Sequence, residues 1–264
     1  MIVRLGVASG RVKGVEIDTA FFNGNHAPEV SVEGCFSSSD DQVTAKGFEG
    51  WESILPVREC GPSQRHAWSL PSLTEKAYTH VRLRMYPDGG IARFRLYGLA
   101  VPVFPESVDE VFDLAATVNG GHVTSFSDQH FGLASYLLLP GRGKDMGDGW
   151  ETKRTRGEHV DWAVVQLGAV GEVEKLVIDT AHFRGNYPKE VQVYALLSEQ
   201  EGEVQEKDDR WVEILSPQGT GPDKEHEYKD ELKNVQGKRY SHAKLVMIPD
   251  GGIKRFRVFG RRRL

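Results

Sequence analysis

Ile17-Asp18-Thr19-Ala20-Phe21-Phe22-Asn23-Gly24-Asn25 returns later in the same chain as Ile178-Asp179-Thr180-Ala181-His182-Phe183-Arg184-Gly185-Asn186, a displacement of 178 − 17 = 161. Moving outward, Glu29-Val30 matches Glu190-Val191 at the same displacement. Trp51, Ile54-Leu55 and Gly61-Pro62 match Trp211, Ile214-Leu215 and Gly221-Pro222 at 160. Tyr86-Pro87-Asp88-Gly89-Gly90-Ile91-Ala92-Arg93-Phe94-Arg95 matches Ile248-Pro249-Asp250-Gly251-Gly252-Ile253-Lys254-Arg255-Phe256-Arg257 at 162. So small a drift marks a duplicated domain, because solenoid periods are only roughly 20–50 residues.

Carried backwards, the alignment sets Val3-Arg4-Leu5-Gly6 on Val165-Gln166-Leu167-Gly168. Met1 then falls inside a strand, and the first copy has no counterpart of residues 112–162. The expectation is a first repeat over 1–100 lacking its amino-terminal strands, and a complete second repeat over 101–264. The seam is placed at Leu99–Pro105, where two prolines interrupt regular structure. A short helical turn is expected over 109–116.

Short β-branched and aromatic runs bounded by turn residues read as strands at Trp162–Leu167, Lys175–Thr180, Val191–Leu197 and Trp211–Leu215. Arg255-Phe256-Arg257-Val258-Phe259 alternates charged and apolar residues, as does Arg93-Phe94-Arg95-Leu96-Tyr97. Each follows a Pro-Asp-Gly-Gly whose glycines can take positive φ. Many short strands and few helices predict an all-β fold, a tandem pair of β-sandwiches with the first incomplete.

The chain has 264 residues, 27% charged and 39% hydrophobic, as in soluble globular proteins. Its net charge of −5 weighs against a nucleic-acid partner. No run approaches the roughly 20 apolar residues of a membrane span, and no secretory signal is expected at the start. Cys35 and Cys60 both fall in the first copy, so reduced thiols of a cytoplasmic protein are expected. There is no P-loop, Gly-x-Ser-x-Gly or dinucleotide fingerprint. The nine histidines lack metal-ligand spacing. Only folding could gather His130, His159 and His182 with Glu151, so a divalent metal is possible but unsupported by spacing.

Two stretches can carry chemistry. The loop from Leu139 to Arg156 holds glycines and charges of both signs. Arg142, Arg154 and Arg156 offer guanidinium groups to a carboxylate, while Asp148 and Glu151 can accept hydrogen bonds or move protons. The plainer alternative is a solvated loop anchored by Trp150. In the second stretch, Asp179 can orient His182 or a loop N–H, and Asn186 can cap or take the left-handed conformation. His182 and Arg184 replace Phe21 and Asn23, which leaves room for a site specific to the second copy.

Pro140-Gly141-Arg142-Gly143, Met146-Gly147-Asp148-Gly149-Trp150-Glu151-Thr152, Asp161-Trp162 and both Asp-Thr-Ala-x-Phe-x-Gly-Asn and Pro-Asp-Gly-Gly-Ile segments resemble the allantoicase family over nearly the whole chain. The resemblance implies two jelly-roll sandwiches of galactose-binding-like type and hydrolysis of allantoate to ureidoglycolate and urea. It also implies a cytoplasmic homo-oligomer without an organic cofactor, acting on neither nucleic acid nor membrane. On that reading Arg142, Arg154 or Arg184 holds the substrate carboxylate, and Asp148 and Asn186 read the ureido groups. Glu151 or His182 activates water or protonates the departing urea, with Asp148 counted among the catalytic set. The alternative is a non-catalytic ligand-binding sandwich, since fold does not fix function.

Overall fold

Alternating apolar side chains give the first repeat seven strands: β1 (Ile2–Arg4), β2 (Gly10–Asp18), β3 (Glu29–Cys35), β4 (Glu52–Glu59), β5 (Arg65–Ser69), β6 (His80–Tyr86) and β7 (Arg93–Ala100). The computed structural model describes residues 1–198 and 204–263. It divides into two units, Met1–Val103 and Phe104–Leu264. In unit 1 the strands form two antiparallel sheets, ordered β1-β6-β3-β4 and β5-β2-β7. Val15, Ile17, Val30, Val32, Leu55, Val81 and Leu83 fill the space between them.

Unit 2 contains β8 (Phe112–Asp113), β9 (His122–Phe126), β10 (Trp150–Glu151), β11 (Asp161–Asp179), β12 (Glu190–Leu196), β13 (Val212–Gly219), β14 (Glu225–Tyr228), β15 (Tyr240–Ile248), β16 (Gly252–Ile253) and β17 (Arg255–Arg262). The runs expected as separate strands at Trp162–Leu167 and Lys175–Thr180 are the two ends of β11, 19 residues long. Its first half pairs with β9 and β15 and its second half with β14 and β17, so one strand serves both layers. The register breaks between Gln166 and Gly171. There Gly168 lies against Asn119 O and Gly171 against Arg261 O, approaches that a Cβ would block at 1.8 and 2.6 Å. The counterparts of these halves in unit 1 are β1 and β2.

Residues 109–116 form no helix, only one hydrogen-bonded turn, Ala116 N to Asp113 O at 3.4 Å. They contain β8 instead, because Leu114 N donates to Val258 O at 2.8 Å and Asp113 Oδ1 accepts from Val258 N at 3.0 Å, which holds the segment to the edge of β17. A 3-10 turn follows at Thr117–Asn119. Among the described residues, unit 1 has no counterpart of β8, β9, β10 or the 3-10 turn Ala134–Leu138.

Both repeats close the same loop the same way. Asp18 Oδ1 accepts from Ala20 N, and Asp179 Oδ1 from Ala181 N, each at 2.9 Å. The chain then reverses at Phe21 (φ 68°) and His182 (φ 69°). Asn186, expected as a candidate for the left-handed conformation, is not the residue that takes it. The reversal comes earlier because Phe22 and Phe183 must turn in beneath the second glycine of Pro-Asp-Gly-Gly. A Cβ at Gly90 or Gly252 would sit 1.9 or 2.1 Å from the phenyl ring. The first glycine of each motif supplies the positive φ, 139° at Gly89 and 144° at Gly251.

Candidate functional site

The loop ends of unit 2 gather most of the expected site residues. β10 pairs with β16 through Trp150↔Ile253 and Glu151↔Gly252. Trp150 is wholly buried and its Nε1 donates to Asp128 O at 2.8 Å. Successive strand residues face opposite ways, so Glu151 points out of the core and stays half-buried. Its Oε1 accepts from Asn186 Nδ2 at 2.5 Å, and Asn186 O is fixed by Gly252 N at 2.7 Å. Among the described residues no partner meets Oε2. The Glu151 carbonyl is held by the N–H groups of His130 (3.1 Å) and Phe131 (3.2 Å). The result is an oriented carboxylate with one oxygen open.

His182 and Arg184 meet on Asp223. His182 N donates to Asp223 Oδ1 at 2.8 Å and Arg184 Nε to Oδ2 at 3.2 Å. The His182 N–H, then Arg184, holds the Asp223 carboxyl below its ordinary range. Arg184 is largely exposed, at 79% of its side chain. In unit 1 the same place is uncharged, with Ser63 Oγ accepting from Phe21 N at 3.3 Å.

Asp148 and Arg142 are occupied inside the protein. Arg255 Nη2 donates to Asp148 Oδ2 at 2.7 Å, and Lys254 Nζ ion-pairs with Asp148 Oδ1. Lys254 also donates to Asp145 O, and both cations are buried, which lowers their pKa values. With both oxygens committed, Asp148 positions the loop ahead of Glu151. Arg142 donates Nε and Nη2 to Asp179, which raises its own pKa. A cavity of about 200 Å³ lies between Arg142, Asp179, Glu225 and Arg257. Arg154 and Arg156 stay exposed with no hydrogen bond or ion pair among the described residues. Their loop is pinned by Lys153 N on Asp128 Oδ2 (2.7 Å) and Thr155 N on Asp250 Oδ2 (2.8 Å).

His130, His159 and Glu151 form no common set. His159 Nε2 lies 3.0 Å from Asp161 Oδ1, which also accepts from Ser127 Oγ at 2.7 Å. The His130 ring packs edge-on against Phe131. No group of three or more His, Cys, Asp or Glu among the described residues is placed to hold a metal ion. Nor is any helix among them long and apolar enough to cross a membrane. Sequence reasoning missed Lys254, Arg255 and Asp223. Two of these stand where the first copy has Ala92 and Ser63, and that difference between repeats was the available signal.

Comparison with known proteins follows the same geometry. The family model described as "Allantoicase repeat" matches residues 1–101 and 112–263. Allantoicase of Neurospora crassa is 59% identical over 265 residues, 99% of this chain and 74% of that protein. Allantoicase of Saccharomyces cerevisiae is 50% identical over 98% of this chain and 76% of its own. The crystal structure of the S. cerevisiae enzyme superposes with a TM-score of 0.85 at 49% identity, covering 98% of this chain and 76% of the other. With both repeats matched and a relative 59% identical over nearly the whole chain, the chain belongs to the allantoicase family.

Proposed function

We propose that this chain hydrolyses allantoate to ureidoglycolate and urea at the loop end of unit 2, with Glu151 as the acid–base group. Family membership supports the reaction. The observation that carries the site is the Glu151–Asn186 contact, which orients one carboxylate oxygen and leaves the other open.

In allantoate one carbon bears a carboxylate and two ureido groups. Hydrolysis breaks one C–N bond; the departing nitrogen takes a proton and leaves as urea, and the carbon takes hydroxyl from water. The proton given to the leaving nitrogen and the proton lost by water balance, so one carboxyl group can supply the first and recover the second. Glu151 fills that role. Asn186 spends its N–H on Glu151 and keeps Oδ1 for a ureido N–H. Arg184 and Arg154, both exposed, are the guanidinium groups available to the substrate carboxylate. His182, on the same reversal as Arg184, is the second proton carrier in reach of that loop. Asp148 and Arg142 act through the loops they tie down. The reading calls for no organic cofactor, and it places the protein in the cytoplasm as a homo-oligomer.

The test is urea release from allantoate by the purified chain, with and without added divalent metal, beside Glu151→Gln. Turnover lost in the variant is expected. A folded chain that releases no urea under either condition overturns the reaction, and an undiminished Glu151→Gln overturns the site.

A further inference from the structure

Leu176 and Ile178 of β11 enter the core, so Val177 and Asp179 lie on the opposite face of the strand. The two repeats differ on this face. In unit 1 the residue at the place of Val177 is Glu16, only 4% exposed. Its carboxylate accepts from Arg65 Nε (3.2 Å) and Nη2 (2.8 Å) on β5. It also accepts from Tyr97 OH (2.9 Å) and Arg95 Nη1 on β7. Arg65 first, then Tyr97, holds the Glu16 carboxyl down at about 2. The repeat's own side chain thus fills the seat between the two flanking strands.

Unit 2 keeps the seat and removes its occupant. Arg65, which pairs Asp18, becomes Glu225, which pairs Asp179. Arg95, opposite Glu16, remains as Arg257, opposite Val177. Valine cannot bridge its neighbours, and the cavity of about 200 Å³ stands over it. β14 and β17 flank β11, which sets the backbones of Glu225 and Arg257 roughly 10 Å apart. Among the described residues no hydrogen bond ends on the Glu225 carboxylate, and Arg142 Nε lies 3.9 Å from it. Arg257 spends Nη2 on the carbonyls of Leu139 and Gly141. Its Nη1 stays 3.6 Å from Asp113, too far for a hydrogen bond. An acceptor on one wall therefore faces donors on the other.

The charges around the cavity cancel. Arg142 is matched by Asp179 and Arg257 by Asp113, while Lys254 and Arg255 share Asp148. Glu225 offsets the one positive charge left over. A charged guest would unbalance this half-buried cluster, whereas a neutral one carrying both donors and an acceptor would not.

We propose that this cavity is a binding site, separate from Glu151, for a neutral ureido group. The two parallel N–H bonds of a ureido group match the two oxygens of a carboxylate, as those of a guanidinium do, and Glu225 offers both oxygens. The ureido carbonyl accepts from Arg257 and from Arg142 Nη1, which the two bonds to Asp179 leave free. An ammonium or a carboxylate meets only one wall.

The experiment titrates the protein with methylurea and follows the Nε–H resonances of Arg142 and Arg257. A saturable shift of both is expected, with acetate and guanidinium at least tenfold less effective. Val177→Glu combined with Glu225→Arg installs the unit 1 arrangement, refills the seat and should abolish the shift. If that pair does not fold, Glu225→Ala, at a half-exposed position, should weaken binding at least tenfold. The proposal is overturned if methylurea gives no saturable shift, or if acetate or guanidinium matches it. It is equally overturned if Glu225→Ala leaves the shift undiminished. Glu151→Gln should leave the shift as it is, and a shift lost there would place methylurea at Glu151 instead. Urea release tests the Glu151 reading by itself, so the two fail separately.

Discussion

Arg142 grips Asp179 through two parallel hydrogen bonds, Nε to Oδ2 at 2.8 Å and Nη2 to Oδ1 at 2.9 Å, across 37 residues of chain. Asp179 is buried and Arg142 half-exposed, so the cost of losing the pair falls on the carboxylate. Arg142→Ala leaves the Asp179 carboxylate only the Ala181 N–H as a hydrogen-bond donor, with the charges of Arg255 and Arg257 nearby. We expect a loss of about 1–3 kcal/mol, at the low end because solvent screens the exposed half of the pair. Arg142→Lys should recover little, since an ammonium cannot make the two-pronged contact. Urea denaturation midpoints check both; a neutral Arg142→Ala would mean that the pair contributes nothing.

Asp148 stands between two buried cations, and the order of removal matters. Asp148→Asn leaves Lys254 and Arg255 without their shared anion and should destabilise unit 2 by about 2–4 kcal/mol. Lys254→Met keeps the length of the side chain, removes one buried charge, and leaves Arg255 on Asp148. That variant should change stability by less than about 1.5 kcal/mol. Equal losses in the two variants, read by thermal melting, would contradict this division.

Glu151→Gln should lower kcat for allantoate by about 10²–10⁴-fold while the melting temperature stays put. Asn186→Ala removes the bond that orients the carboxylate and the Oδ1 offered to a ureido N–H, and should cost about tenfold in kcat and raise KM. Steady-state urea release on both variants gives the answer. A larger loss in Asn186→Ala than in Glu151→Gln would exchange their roles.

Stability should fall on the acid side through His242. Burial, helped by the positive neighbours His122 and Arg210, lowers its pKa from 6.5 to about 4. The unfolded chain therefore takes up a proton between pH 6.5 and 4 that the folded one refuses. The stabilisation is complete above pH 6.5 and lost as pH drops through the folded value, by at most about 3 kcal/mol. His242→Gln should flatten that limb of a stability-against-pH curve, and an unchanged slope would remove His242 as its cause.

The sandwich pair was legible because its determinants are local. Asp18 and Asp179 each cap a loop two residues on, and each Pro-Asp-Gly-Gly makes its own turn. The roles of Arg142 and Asp148 were not legible. Their partners lie 37 and 107 residues away, and only the folded sheet brings Asp179 and Arg255 to them. The left-handed residue was sought at Asn186 on side-chain preference, but the need to seat Phe183 under Gly252 put it at His182. The continuity of β11 was hidden because the bend at Gly168 and Gly171 reads as a strand end.

β11 makes unit 2 a mechanical whole. Because a single strand is woven into both layers, neither layer can be peeled away without tearing out the other's central ladder. Opening of this unit should therefore be cooperative, with slow amide exchange expected in both paired halves of β11. In unit 1 the same path is divided into β1 and β2, and the chain between them is tied at its ends, Leu5 N to Thr79 O and Ser9 O to Val101 N. With two separate strands in place of one, unit 1 has no single ladder that both of its sheets must share.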